Sequence, residues 1–486
     1  MCDLKTSTVA ASVLLARLRL GLLLPLLGLV ACGGGGSNPT AVAPSAPPSV
    51  TAPATPPATP PVTTPASPAV CSLADQKLWL RSHFQRNYWW TGLAPSPAPE
   101  GEAQTLPDYF RSLMFQGNET FPADRYSGYG SLSGFAQFYD EGTELGFGVA
   151  VMGQEIFGQP DQPLYVRYVE PQSPAARAGI ERGDQVLSIN GRGTPERLAS
   201  SDFADLSPTA EGQTLTLLLR RDGRDRAVSL TAAVYPLVQV QSAGLVRSPQ
   251  GRAAGYLYLH NFTDQAKPDL IQAFETFAQQ GVREVILDLR YNSGGLVHMA
   301  ERVASHLGGQ AVQNSVFATL SYNANNTYRN RTYRFDDPVR WTGVRKAYVL
   351  TGMRTCSASE QVISGLRGAG VEVVTVGSTS CGKPVGSSPE TYCDNVYSIV
   401  AFESLNARGE GRYFNGIAAN CRVADQPASG ALGSASDALI GAALTHLDTG
   451  SCAAAPQAMA RLRPAPAQST PALISPADPG LGRRRD

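Results

Sequence analysis

Three short segments hold residue types that nucleophilic chemistry needs. They are Asp288-Leu289-Arg290-Tyr291-Asn292-Ser293-Gly294-Gly295, Cys356-Ser357-Ala358-Ser359-Glu360, and Gly377-Ser378-Thr379-Ser380-Cys381-Gly382-Lys383. Each follows an apolar run that reads as a strand. Ser357 stands where such a strand passes into a helix reaching to about Leu366. The first N–H groups of a helix have no partner within it, and the helix dipole favours negative charge there. A serine at that point has donors beside it for a tetrahedral oxyanion. The N–H of Ala358 is one candidate, and Gly294 or Gly295 is the other, since glycine lets backbone approach a carbonyl closely. The plain alternative is that Ser357 is an N-cap residue, that Ser359 and Glu360 form a local capping arrangement, and that Lys383 is a surface lysine.

A nucleophilic serine also needs a base. Lys383, His260 and His298 all lie in the same half of the chain. A lysine, with an ordinary pKa of about 10.4, serves at neutral pH only if burial lowers it. Lys383 is flanked by Cys381, Gly382, Pro384, Val385 and Gly386, with no carboxylate before Glu390. An imidazole base titrates at about 6–7, so a pH–rate profile separates the candidates.

The elements that must position these residues follow from periodicity. Tyr256 to Leu259, Val285 to Leu289, Ala347 to Thr351 and Val371 to Val376 read as strands, and Asp269 to Gln280 reads as a helix with Ile271, Phe274 and Phe277 on one face. Strand–helix–strand alternation predicts βαβ units and a mostly parallel sheet. Upstream, Phe147 to Val151, Leu164 to Val169, Gln185 to Ile189, Thr214 to Arg220 and Ala227 to Ala232 read as short strands. Helical spacing covers Leu73 to Trp90, Leu106 to Met114 and Gly134 to Tyr139. The fold class is therefore α/β, or α+β across several domains: a helical region, a small β-rich domain and an α/β core.

Two resemblances sharpen this. Leu145-Gly146-Phe147-Gly148, with Ser173-Pro174-Ala175-Ala176-Arg177-Ala178-Gly179-Ile180, Gly183-Asp184-Gln185-Val186 and Ile189-Asn190-Gly191, resembles a bacterial PDZ domain. That implies a loop whose N–H groups hold a terminal carboxylate, beside a strand that accepts an extended peptide. Behind it, the three segments in this order resemble the carboxy-terminal processing (tail-specific) serine peptidases, over about Leu145 to Arg422. The resemblance implies a serine endopeptidase with Ser357 as nucleophile and Lys383 as base, no cofactor and no metal. Its substrates would be proteins or peptides with a free C-terminus. The departures are Ser387, where relatives often carry glutamine four residues after the lysine, and Pro384, where glycine is common. The competing expectation is an inactive PDZ lipoprotein that binds peptides or hydrophobic ligands.

The ends of the chain read as an address. Arg17 and Arg19 precede the apolar run Leu20 to Val30, which is too short to span a bilayer, and Leu29-Val30-Ala31-Cys32 resembles a lipobox with Cys32 lipidated. By analogy, Gly33 rather than Asp favours the outer membrane, so the expected location is the bacterial envelope, lipid-anchored and facing the periplasm. The expected organisation is a signal peptide (1–32), a Pro/Ala/Thr-rich disordered linker (33–70), a helical region (71–140), a PDZ domain (141–240), a catalytic domain (241–454) and a disordered tail (455–486). Lys+Arg and Asp+Glu both total 40, which argues against a nucleic-acid partner. Once Cys2 and Cys32 are set aside, Cys71, Cys356, Cys381, Cys393, Cys421 and Cys452 remain, an even number that predicts three disulfides in an exported chain. A Cys71–Cys452 bond would tie the ends of the folded part, and the other four cysteines cluster near the candidate site. The spacing lacks the tight C-x-x-C of a zinc site. Oligomeric state is not readable from the sequence.

Overall fold

A computed structural model describes residues 71–95, 105–152, 163–336 and 339–452. The signal peptide, Cys32, the linker and the tail lie outside the described residues. No helix among the described residues is long and apolar enough to cross a membrane.

The centre is a six-stranded sheet. Its order is Val240–Arg247, Ala253–Leu259, Glu284–Asp288, Lys346–Thr351, Glu372–Gly377 and Cys421–Arg422; the first pair is antiparallel and the other four junctions are parallel. The continuous apolar runs of these strands follow from the covering of both faces of the sheet. Leu257, Leu259, Val285, Leu287 and Val349 pack against the helices Lys267–Gln279, Val297–Gly308 and Ala358–Gly368. The alternate residues Tyr256, Tyr258, Ile286, Tyr348 and Leu350 pack against the helix Ala438–Thr449.

A second, antiparallel sheet runs Arg331–Arg334, Val316–Tyr322, Val400–Leu405, Val385–Ser387. Its last strand follows Lys383 directly, so the lysine loop is strung between two sheets. The helical region at the start is woven into this part of the molecule. Its strand Gly128–Ser131 pairs with Asn395–Ser398. Leu80, Phe84, Tyr88, Trp90 and Phe110 share one core with Val385, Tyr397, Ile399 and Phe414.

The PDZ sheet runs Val149–Met152, Leu164–Val169, Gln185–Ile189, Thr214–Arg221, Arg224–Thr231, and its Asp222-Gly223 turn takes positive φ at both residues, as a two-residue hairpin requires. The chain enters and leaves this domain along one antiparallel pair, Thr143–Gly146 with Ala233–Pro236. Ala150 and Tyr168 are buried in the same cluster as Tyr256 and Tyr258, so the PDZ sheet packs onto the central domain.

The disulfides are Cys71–Cys393, Cys356–Cys381 and Cys421–Cys452. The expected Cys71–Cys452 bond is corrected. Cys71 precedes a helix that lies on the Glu390–Tyr392/Asn395–Ser398 hairpin, next to Cys393, whereas Cys452 follows the helix Ala438–Thr449 and meets the edge strand holding Cys421.

Candidate active site

All three segments lie at the carboxyl ends of parallel strands, where an open α/β sheet presents its crevice. Glu284–Asp288 leads into the glycine pair, Lys346–Thr351 into Ser357, and Glu372–Gly377 into Lys383.

Ser357 is the N-cap of the helix Ala358–Gly368, with φ 54° and ψ −114°. An ordinary N-cap serine is extended. A non-glycine residue at positive φ costs on the order of 1–3 kcal/mol and persists only where its surroundings enforce it. Those surroundings are specific. Thr355 Oγ1 donates to Leu289 O at 2.8 Å, and Cys356 N–H donates to Asn292 O at 3.2 Å. The buried Asn292 accepts at Oδ1 from Gly294 N–H (2.8 Å) and Ser359 Oγ (3.0 Å), and its amide donates to Leu259 O (3.0 Å). Asn292 thus fastens the glycine loop to the serine turn.

Gly294 and Gly295 have φ of 112° and 138°. A Cβ on Gly294 would lie 2.9 Å from Ser357 Cβ and 3.2 Å from Ala358 N, and one on Gly295 would lie 2.3 Å from Phe262 O. The Gly294 N–H is committed to Asn292, so among the described residues the N–H groups without an acceptor beside the serine are those of Gly295 and Ala358.

Glu360 carries most of the assembly. Its carboxylate is fully buried. Oε2 accepts from Ser357 N–H at 3.0 Å and from Lys383 N–H at 2.8 Å. Oε1 accepts from Gly382 N–H at 2.8 Å and from Ser380 Oγ. Since one oxygen receives both N–H groups, the Ser357 and Lys383 nitrogens are at most about 5.8 Å apart. Burial pushes the Glu360 carboxyl above its ordinary range, while the bonds from Ser380, Lys383, Gly382 and Ser357 pull it back. The Cys356–Cys381 disulfide joins the same two loops, with Cα atoms 5.3 Å apart. Lys383 itself is half-buried, and its Nζ lies 6.0 Å from the centre of the Tyr126 ring. The two loops are joined through backbone N–H groups on Glu360 and through the Cys356–Cys381 disulfide.

The histidines are engaged elsewhere. His260 is buried, with Nε2 3.2 Å from Glu170 and Nδ1 3.2 Å from the Tyr258 hydroxyl. His298 pairs with Asp264 at 2.8 Å. Beneath the glycine loop, the buried Arg290 binds Asp288, Asp425 and Asp437. Arg182 of the PDZ domain donates to the same Asp425 (2.8 Å) and Asp437 (3.0 Å).

In the PDZ domain, the carbonyls of Phe147 and Gly148 accept from Ala175 N–H and Glu170 N–H, both at 2.9 Å. The N–H groups of those two residues have no acceptor among the described residues. Gly148 has φ 72°, and a Cβ there would lie 1.9 Å from Ser173 Cβ. Leu145 and Gly146 lie in the strand Thr143–Gly146 that leads into this loop. Val149–Met152 is the sheet's edge strand.

Sequence reasoning read Glu360 only as a capping residue and did not single out Asn292. The signal available was an acid three residues after the serine and one helical turn before Ile363, at the start of a helix whose residues 358–363 are all buried.

The fold and these loops define an α/β peptidase-type domain carrying a PDZ domain. Residues 253–421 match peptidase family S41 and residues 165–221 match the PDZ domain. The chain is 26% identical over 265 residues to the carboxy-terminal processing protease CtpB of Bacillus subtilis (strain 168), covering 54% of this chain and 51% of that protein. It is 32% identical over 136 residues to the carboxyl-terminal-processing protease of Picosynechococcus sp., covering 28% and 32%. The chain thus spans about half the length of the first relative and a third of the second. A solved S41-family structure from Bacteroides fragilis NCTC 9343 shares the fold, with a TM-score of 0.60 at 22% identity, over 76% of this chain and 97% of that one. Residues 253–421 therefore carry a peptidase family S41 domain and residues 165–221 a PDZ domain, in a chain similar to carboxy-terminal processing proteases.

Proposed function

We propose that the protein is a serine endopeptidase with a Ser357–Lys383 dyad that cleaves unfolded or extended envelope proteins. The observation that carries the reading is the single buried carboxylate of Glu360, which accepts from the backbone of both Ser357 and Lys383. In the reaction, the neutral Lys383 amine takes the Ser357 proton as Oγ attacks the scissile carbonyl. The oxyanion is received by the N–H groups of Ala358 and Gly295, and the lysine proton passes to the leaving amine. Water then hydrolyses the acyl-enzyme with the same amine as base. The proton transfer requires Ser357 Oγ and Lys383 Nζ to lie within hydrogen-bond reach in the substrate complex.

The PDZ loop at Phe147 and Gly148 takes the substrate's terminal carboxylate, and Val149–Met152 pairs with the residues before it. The chain is held at the bacterial envelope by lipid on Cys32. The test is incubation of residues 71–454 with an unstructured protein. Cleavage that vanishes in both Ser357→Ala and Lys383→Ala supports the reading. Saturable binding without cleavage at any pH supports the binding-module alternative instead.

A further inference from the structure

The loop of the proposed base is gripped from two sides. From the catalytic helix, Glu360 accepts the N–H groups of Gly382 and Lys383. From the N-terminal region, two consecutive residues take the carbonyls that precede them. Arg125 Nη2 donates to Cys381 O at 3.0 Å and to Phe414 O at 3.0 Å, and the Tyr126 hydroxyl donates to Gly382 O. Gly382 has φ 82°, and a Cβ there would lie 2.3 Å from Phe414 O, so this point of the loop takes only glycine. The Tyr126 ring also lies 6.0 Å from Lys383 Nζ, with the Arg125 guanidinium 5.3 Å from the same ring.

The grip is itself built into the region's frame. Asp124 Oδ1 accepts from Tyr126 N–H at 2.8 Å and Oδ2 accepts from the Tyr88 hydroxyl at 2.8 Å; that hydroxyl accepts from Phe115 N–H at 2.9 Å. Tyr88 is the C-cap of the helix Leu73–Asn87, whose start is tied to the catalytic domain by Cys71–Cys393. The chain of contacts runs Tyr88, Asp124, Tyr126, Gly382, Lys383.

We propose that Arg125 and Tyr126 are positioning residues for Lys383, so that the N-terminal region completes the active site and is more than a packed extension of it. This rests on the reading of Lys383 as base. A packing role alone makes a different demand: substitutions would change stability and leave the titration of the base where it is.

The test uses the full chain carrying Tyr126→Phe, Arg125→Met, or Phe110→Leu as a core change in the same region. Rates on an unstructured peptide are measured from pH 6 to 10, alongside thermal unfolding. Tyr126→Phe removes one hydroxyl, and Arg125 is exposed, so at least the second variant folds. Displacing a reacting group by about 1 Å can cost 10²-fold. Both variants are therefore expected to lower kcat by roughly ten- to a hundredfold at pH 7.5 with KM nearly unchanged. The rising limb should move up by about half a pH unit or more, as the amine swings towards water. Phe110→Leu should lower the Tm and leave that limb in place. If Arg125→Met and a folded Tyr126→Phe keep the wild-type limb and kcat, the proposal is overturned while the dyad stands. If cleavage survives in Lys383→Ala, the dyad and this proposal fall together.

Discussion

Replacing Glu360 by Gln asks whether one buried carboxylate holds the two halves of the site. Each oxygen accepts two donors: Ser357 N–H and Lys383 N–H on one, Gly382 N–H and Ser380 Oγ on the other. A glutamine amide keeps one oxygen and turns the other position into a donor. In its better orientation the oxygen faces Ser357 and Lys383, the Ser380 hydroxyl rotates to accept, and the Gly382 N–H is left facing an NH₂. A buried N–H without a partner costs about 1–3 kcal/mol, and exchanging a charged acceptor for a neutral one weakens each remaining bond by about 1 kcal/mol. The gross loss is about 3–5 kcal/mol. Against it stands the burial of a charge, which the raised Glu360 pKa records and which the amide avoids. The expected net loss of stability is about 1–3 kcal/mol, read by urea unfolding, with kcat lower by about a hundredfold because the loops lose register. A folded Glu360→Gln protein with kcat within about twofold of wild type would refute the reasoning.

Replacing Cys356 and Cys381 together by Ser opens a crosslink of sequence separation 25, which chain entropy values at up to about 3.5 kcal/mol. Because Glu360 still joins the loops, kcat should fall by no more than about tenfold while the urea midpoint drops clearly; abolished activity with unchanged stability would contradict this. Glu170 and His260, facing each other with Tyr168, Tyr258, Gln241 and Arg167 around them, make the packing of PDZ on the central domain pH-dependent. Burial pushes Glu170 up to about 8 and His260 down to about 3, Arg167 adding to the latter and Glu144 to the former. A raised carboxyl contributes stability that is complete below its unfolded pKa of about 4.5 and lost as pH rises through about 8. A depressed imidazole contributes stability that is complete above about 6.5 and lost as pH falls through about 3. Stability should therefore be level between about pH 4.5 and 6.5 and fall on both sides, with the alkaline fall, but not the acid one, removed in Glu170→Gln. A monotonic rise to pH 9 in the wild type would contradict it.

The parallel sheet was legible because its strands are buried on both faces. In that sheet Val285 to Leu289 differs from Glu284–Asp288 by one residue at each end, and in the PDZ sheet Gln185–Ile189 and Leu164–Val169 match their observed ends. The antiparallel sheet was missed because Arg331–Arg334 is four largely exposed residues, and Val385–Ser387 is three residues inside what reads as a glycine-rich loop. The helix Ala438–Thr449 had local signals that went unused: Asp437, whose side chain caps Leu439 and Ile440, and Gly450 in the left-handed conformation after its end. In the site, the serine, the lysine and the glycine pair could be singled out by type and spacing. What joins them could not. Glu360 and Lys383 meet only when two strand ends lie side by side, and the grip of Tyr126 on Gly382 crosses 256 residues of chain. Disulfide pairing escaped for the same reason, since Cys71 meets Cys393 across 322 residues.

The most direct measurement of the central claim is the intact mass of the protein after incubation with a fluorophosphonate, with the adduct located by peptide mapping. The expected result is a single adduct on Ser357, absent from Ser357→Ala, formed at least about a hundredfold more slowly in Lys383→Ala, and formed at the wild-type rate in His298→Gln. An adduct on another residue, or undiminished labelling of Ser357 in Lys383→Ala, would contradict it.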